Sequence, residues 1–439
     1  MSGLRAQRLQ EIDRQLEGHR LIWVGTRGTD ANPLLDLDSF AACFSLIAPM
    51  HSGSLEREVC LETISRHRVN LDQYDFDKDR SPEARELRAG LRSFLQEPSV
   101  IIPYRPLRFL SSISFTDSGM VRYFGLFHER QAPFEHKPWV ESELKAQGVP
   151  VIPWTYYAYE DVQRLADNVR TQPMVIRLNR SSGGTGLQLV RSPAELETGI
   201  QSDVDGFLGA SPFLDPNIPL NVNACVYSGG SVSIHRPSLQ LIGIPQCTRL
   251  LFGYCGNDFA AVQALGPDLL DQLEDVVRRV GGWLGRMGYR GAFGVDAVEH
   301  RGQILVSEVN PRFQGSSEVS ARIDAELGLP DLYMDHLSSY LGLAPIPTPP
   351  LRDLVRMHHG YSQVLFHNLL NHDVPGFTPA SSGLLHEAEV VLSAAPDVTI
   401  APGAIRWRLI LPKLATRDGH ELLPQVGALA GLLESEIIP

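Results

Sequence analysis

Between residues 288 and 317 the chain reads GYRGAFGVDAVEHRGQILVSEVNPRFQGSS, and its apolar and polar positions alternate twice over. Alternation with a period of two predicts strands at 292–299 and 303–310, with His300, Arg301 and Gly302 forming the turn. Side chains then sort by face. Phe293, Val295 and Ala297 share one face of the first strand, and Asp296 lies on the other. On the second strand Leu305 and Val309 share a face, and Glu308 and Asn310 take the opposite one. A three-residue turn near these residues is expected, with Asp296 directly across from Glu308 and Asn310 one pleat away. A one-residue slip would send the apolar set to the wrong side.

Other stretches follow helical spacing. Residues 4–17 place Leu9, Ile12 and Leu16 on one face, with Gly18 available as a C-cap. Ser81-Pro82-Glu83 opens a second helix carrying Leu87, Leu91 and Leu95. Apolar runs at 21–25 and 100–104 read as buried strands, so residues 1–130 predict a small α/β domain. A helix over 138–147 ends at Gly148, and the chain leaves it extended through VPVIP. MVIRLNRSSGGTGLQLV (174–190) predicts strand, serine–glycine loop, strand, and Ser192 with Glu195 forms a capping box. Prolines 212, 216 and 219 mark an edge strand or a hinge. Residues 220–243 predict a hairpin carrying Asn221, Asn223, His235, Arg236 and Gln240. An amphipathic helix at 268–287 leads into the central hairpin, and helices at 318–327 and 331–341 follow. APIPTPP (344–350) is a linker, and beyond it strand-like runs near 355–366, 387–393 and 405–411 predict a small β-rich subdomain.

Composition narrows the function classes. The chain has 439 residues, enough for two or three domains, with an ordinary 43% hydrophobic and 21% charged residues. A net charge of -12 argues against broad nucleic-acid binding, which needs clustered Lys and Arg. Five scattered cysteines form no CxxC pair, which speaks against a disulfide framework or zinc site. With no apolar signal region and no run of about 18 apolar residues, a cytoplasmic chain free of membrane is expected.

Chemistry concentrates at three places. Two carboxylates and an amide on one face of a rigid hairpin suit Mg2+, a hard cation that completes its shell with water and phosphate oxygens. The same pattern also describes a half-buried hairpin with a solvated polar face. Lys137 stands before a helix whose N-terminus favours anions. Ser181, Ser182, Gly183, Gly184, Thr185 and Gly186 lack bulk, so their backbone N–H groups can close over phosphates. No Gly-Lys-Ser/Thr follows, so this is no Walker loop. The strand at 21–25 is likewise followed by no GxGxxG.

In order, Lys137 with its helix, the strand–glycine loop–strand and GVD…EVNPR resemble the ATP-grasp superfamily of carboxylate–amine ligases over residues 125–345. LIWVGTRG also looks like the pre-ATP-grasp domain of a smaller group, similar to the peptide ligase of pheganomycin biosynthesis. The resemblance implies an ATP-grasp domain at 131–345 with a hinge near 210–216, between a pre-ATP-grasp domain (1–130) and the C-terminal subdomain (346–439). It implies ATP with Mg2+ (or Mn2+) as cofactors. Lys137 and Arg177 would contact the α/β-phosphates, with Arg177 standing where the family usually has lysine. Loop 181–186 would cover the β/γ-phosphates, and adenine would lie near Ala210, Phe213 and Leu214. Asp296, Glu308 and Asn310 would hold the metal. Arg312 would assist at the γ-phosphate, and Arg290, Arg236 and His235 are candidates for the acyl phosphate and substrate carboxylate. The implied activity joins an amino-acid or peptide carboxylate to an amine through an acyl phosphate, in peptide natural-product biosynthesis. An acid–thiol ligase, a carboxylase-like enzyme and a non-catalytic nucleotide-binding subunit are the alternatives, and a homodimer is the base-rate assembly.

Overall fold

The computed structural model describes residues 2–435 apart from 51, 117–118, 182, 198–199, 201–203, 378–387 and 393. The N-terminal strands form a five-stranded parallel sheet. Its order is Arg57–Cys60, Phe40–Ile47, Arg20–Arg27, Ser99–Pro103, Val121–Tyr123. All eight residues of Phe40–Ile47 are buried, as expected for a parallel strand covered on both faces. The turn-rich stretch after Arg27 is not an open loop but the 3-10 helix Gly28–Asp36. The helix Pro82–Phe94 starts where Ser81 Oγ accepts from the Ala84 N–H, at 3.1 Å.

A second, antiparallel sheet has the order Thr155–Ala158, Phe207–Pro212, Met174–Leu178, Leu187–Val190. The expected strand–loop–strand is its edge hairpin; at the expected capping box Ser192 Oγ donates to Glu195 Oε1 at 3.1 Å and the Arg191 N–H to Glu195 Oε2 at 3.1 Å, a tie between side chains and the preceding backbone instead of the reciprocal box. The proline-rich stretch divides into Phe207–Pro212 and Ile218–Val226, which belong to different sheets.

The third sheet has nine strands. Its main path runs Gln303–Asn310, Gly291–His300, Ile218–Val226, Ser238–Ile242, Tyr254–Asp258, Ser362–His367, Ile405–Leu411, Glu389–Leu392, with Val232–Ile234 paired to Ile218–Val226. Three strands beyond the proline-rich linker extend this sheet, because Ser362–His367 hydrogen-bonds to the edge offered by Tyr254–Asp258, while Val374–Pro375 and Thr399–Ile400 form a small separate sheet with His67–Arg68. Only part of the strand-like run at 355–366 is extended. Leu351–Leu354 is a short helix, and Val355 packs beneath the long helix. That helix, Pro267–Arg286, lays Leu273, Val277, Val280 and Leu284 against Val222, Ala224, Val295 and Ile304 of the sheet. Each such fully buried side chain contributes roughly 1.5–3 kcal/mol. Among the described residues no helix is long and apolar enough to cross a membrane.

The central hairpin differs from expectation in one instructive way. Its turn has two residues, not three. His300 pairs with Gln303, and Arg301 and Gly302 both take positive φ (51° and 81°), the geometry of a tight primed turn. Continued regularly, that register would set Asp296 across from Ser307. A bulge between Asp296 and Ala297 restores the pairing of Asp296 with Glu308. The bulge also breaks the alternation. Ile304, Val306 and Val309 enter the large core, while Leu305 packs with Ile152, Trp154 and Val175 on the other side. Leu305 and Val309 thus do not share a face.

Candidate functional site

The three sheets surround a cavity of about 550 Å³. Strand ends supply its polar lining: Thr26 and Arg27 at the C-terminal end of Arg20–Arg27, and Tyr104 and Arg105 just after Ser99–Pro103. The crevice beyond the carboxyl ends of parallel strands is the usual place for ligands in such sheets. Asp296, Glu308, Asn310 and Arg312 face the same cavity from the hairpin, and Lys137, Arg177, Gly183 and Gly184 face it from the smaller sheet's side.

Asp296 is held by amides. Its Oδ1 accepts from Asn221 Nδ2 (2.7 Å), Gln240 Nε2 (3.0 Å) and Gln314 Nε2 (3.3 Å), and its Oδ2 from Asn310 Nδ2 (3.0 Å). Burial, and then the charge of Glu308 opposite, push the Asp296 carboxyl up to about 6. Burial also acts to raise Glu308, but Lys137 and Arg312 outweigh it and hold Glu308 below the usual carboxylate range. Arg312 donates to Asn310 Oδ1 at 3.0 Å. Its nearness to Tyr104, Glu135, Glu308 and Asp296 offsets its own burial and keeps it charged. Two carboxylates on paired strands, with the Asn310 side-chain amide beside them, supply the oxygen donors that a divalent, oxygen-seeking metal takes.

Lys137 is the first residue of the helix Lys137–Ala146, followed by Pro138. Its Nζ pairs with Glu308 Oε1 at 2.9 Å and donates to the Ser181 carbonyl at 2.7 Å, so one ammonium ties the glycine loop to the hairpin. Gly183 and Gly184 take positive φ (60° and 79°). A Cβ on Gly184 would come within 2.1 Å of the Phe252 carbonyl oxygen, so the loop tip packs directly on that backbone. Thr185 is exposed at the tip, and Gly186 sits against the Ser181 side chain. Ser182 lies outside the described residues.

Arg177 is nearly fully buried at the cavity wall. Its Nη2 lies 2.5 Å from Glu141 Oε1 and 2.9 Å from Tyr156 Oη, and its guanidinium stands 4.0 Å over the Trp154 ring. The planar head is thus clamped by a carboxylate, a phenol and an indole. A lysine could not make all these contacts.

Beside it lies an apolar patch of Ile152, Trp154, Val175 and Leu189, with Phe213, Leu214, Phe252 and Val298 packed on it. Phe213 and Leu214 line the cavity, whereas Ala210 turns into the core of the smaller sheet with Ile176 and Leu208.

Three candidates lie elsewhere. His235 and Arg236 are buried at 1% and 0% exposure and do not line the cavity. His235 Nδ1 is 2.8 Å from Asp324 Oδ2 and Nε2 is 3.4 Å from Asp335 Oδ2. These two carboxylates outweigh burial and raise the imidazole to about 10, making it a structural cation. Arg236 donates to the carbonyls of Phe259 (3.1 Å) and Leu354 (3.2 Å). Arg290 is exposed near the Tyr340 ring, also outside the cavity. Alternation along 220–243 could not reveal that its histidine and arginine lie outside the cavity while Asn221 and Gln240 line it. Sequence reasoning also passed over Gln314, Glu141, Tyr156 and Trp154, because their roles depend on strands brought together from afar.

Comparison with known proteins agrees with this geometry. Residues 135–316 match the ATP-grasp domain family. The fold is an ATP-grasp fold. Similar solved structures include a biotin carboxylase–β,γ-ATP complex from Campylobacter jejuni, with TM-score 0.62 and 14% identity over 89% of this chain and 87% of that one. A carboxyaminoimidazole ribonucleotide synthase from Aspergillus clavatus complexed with ATP gives 0.58 and 12% over 94% and 99%. An N5-carboxyaminoimidazole ribonucleotide synthetase from Thermotoga maritima gives 0.53 and 13% over 95% and 98%. No curated protein sequence matches the chain. Within the ATP-grasp fold, the hairpin Gly291–His300 with Gln303–Asn310 and the glycine loop after Met174–Leu178 are the two jaws that Lys137 bridges.

Proposed function

We propose that this chain is an ATP-dependent, ADP-forming ligase that joins a carboxylate to an amine through an acyl phosphate. The observation that carries the reading is the cluster Asp296, Glu308, Asn310 and Arg312 facing Lys137 and the glycine loop across one cavity. Phosphoryl transfer asks for positioning and charge neutralisation more than for covalent help from the protein. In this reading Lys137 and Arg177 hold the phosphates, the 181–186 loop closes over them, and the apolar patch around Trp154 and Phe213 takes the base. Asp296, Glu308 and Asn310 hold Mg2+, which when bound neutralises the charge of the transferred phosphoryl group. Arg312 stabilises that charge from the side. The carboxylate needs activation because it has no competent leaving group, and a closed loop shields the acyl phosphate from water. The resemblance of LIWVGTRG to a pre-ATP-grasp segment supports amino acids or peptides as substrates, in peptide natural-product assembly.

The likeness to a biotin carboxylase and to carboxyaminoimidazole ribonucleotide synthases favours a second reading, in which bicarbonate is the carboxylate activated. One experiment addresses both. Mg-ATP is incubated with a matrix of amino acids, short peptides, thiols and bicarbonate, with nucleotides resolved by chromatography and products by mass. ADP with an amide adduct supports the ligase. ADP dependent on bicarbonate supports the second reading, and a thioester would point to an acid–thiol ligase. AMP with pyrophosphate would sink the acyl-phosphate route.

A further inference from the structure

Charge is unevenly answered around the cavity. Glu308 is paired with Lys137, Arg177 with Glu141, Arg27 with Asp30 at 2.9 Å, and Asp296 is saturated by amides. Asp72 differs. It lines the cavity at an exposed position, where its carboxylate accepts no hydrogen bond and meets no cation among the described residues; only its backbone N–H is engaged, donating to Asn70 Oδ1. Its carboxyl group packs on the glycine loop so closely that a Cβ on Gly183 would lie 2.3 Å from it. His367, the last residue of Ser362–His367, lines the same end of the cavity. Its Nδ1 lies 2.8 Å from the Cys247 carbonyl oxygen, which can only accept, so Nδ1 carries the proton. Nε2 is left as a lone-pair acceptor with no partner among the described residues. Burial favours the neutral ring, so the acceptor stays available near pH 7.

A carboxylate and an imidazole lone pair, with no donor of their own, complement a group that offers several N–H bonds and a positive charge. The cations Arg27, Arg105 and Arg312 also line the cavity and suit anionic reactants. We infer that Asp72 and His367 form the subsite for the amine substrate, which enters as an ammonium directly beneath the glycine loop. This rests on the ligase reading and adds the class of its second substrate, a primary amine cationic at neutral pH. Before attack the ammonium gives one proton to His367 Nε2. The neutral amine then attacks the acyl carbon, the carbon–oxygen bond to phosphate breaks, and the second proton leaves with inorganic phosphate.

The test uses the acid found by the substrate matrix and compares two nucleophiles in the full-length protein. Hydroxylamine is small and neutral, traps the acyl phosphate as a hydroxamate and needs no ammonium subsite. In Asp72→Asn, KM for the amine is expected to rise by about tenfold, the size of one lost charge-assisted hydrogen bond, while ATP KM and hydroxamate formation stay within about twofold. Asp72→Glu restores part of the amine affinity. Thermal melting checks that both variants are folded. His367→Gln is expected to lower kcat with the amine at neutral pH and to regain rate as pH rises toward that of the free amine, leaving the hydroxamate assay unmoved. Unchanged amine KM in Asp72→Asn, or hydroxamate and amide synthesis falling together, would overturn the subsite. Absence of both ADP and hydroxamate from wild type with every acid would instead overturn the ligase reading itself, and the subsite with it.

Discussion

Two clusters of acids lie on one face of the large sheet, the face taken by Asn221, Asn223 and Tyr227, and they have opposite fates. At the hairpin, Asp296 and Glu308 face each other beside a cavity, with amides and one lysine for company. Farther along that face, beneath the helices Ser317–Glu326 and Leu332–Leu341, Asp324 and Asp335 close on His235, with Tyr227 Oη donating to Asp335 at 2.7 Å. The second cluster has its cation built in and no access to ligand. The first pairs one carboxylate with Lys137, holds the other by amides, and opens onto about 550 Å³ of space. A histidine beside aspartates is thus no sign of catalysis in itself. The difference lies in whether the charged cluster is closed off by protein or opens onto space for a ligand.

The strongest way to break this contrast is to remove charge from each side. Glu308→Ala should reduce ATP turnover by about 10³-fold, as expected when a group stabilising phosphoryl-transfer charge is lost. Its melting temperature should stay near wild type. A steady-state ADP assay beside a melting curve checks both. Asp324→Ala should do the reverse. It leaves the buried imidazolium short of a partner and should cost about 3–5 kcal/mol of stability by denaturant titration, with kcat of the folded fraction little changed.

Lys137→Met sharpens the hairpin's side of the comparison. The variant frees Glu308 and unties the glycine loop, so KM for ATP should rise by about tenfold or more, the loss of a charged hydrogen bond. Nucleotide titration calorimetry reads this directly.

A smaller effect follows from pH. His235 is raised in the fold from 6.5 to about 10. The folded state therefore binds a proton that the unfolded chain loses near neutrality, and the stabilisation is complete below about 6.5 and lost as pH climbs through about 10. Chemical denaturation between pH 7 and 10 should show this decline, and His235→Gln should flatten it. Smallest of all, Arg290→Ala should leave kcat and KM within about twofold, since exposed surface substitutions seldom matter. A tenfold loss would bring Arg290 back to the site.

Much of the site was legible because it follows local rules. Lys137 before a proline-started helix, the serine–glycine loop between strands, and Asp296, Glu308 and Asn310 on an alternating hairpin need only short-range pattern. The pairing of Asp296 with Glu308 was reached by a three-residue turn, whereas the protein uses a two-residue turn and a bulge. A regular three-residue turn at 300–302 would face Asp296 with Val306, so the observed opposition is owed to the bulge, which also explains why Leu305 leaves the core side that Val309 keeps. Arg290, Arg236 and His235 were misplaced because a basic residue near a motif carries no label for the face it takes.

The sequence by itself determined the order of elements and many of the residue types that line the cavity, since these depend on periodicity and turn chemistry within some thirty residues. Only the tertiary structure decided that Asn221, Gln240 and Gln314 converge on Asp296, that Glu141 and Trp154 clamp Arg177, and that the chain beyond the linker joins the nine-stranded sheet. Those partners lie tens to hundreds of residues apart. Which strand edge a segment finds, and which side chains then share a cavity, is fixed by the burial and hydrogen bonding of the whole chain at once.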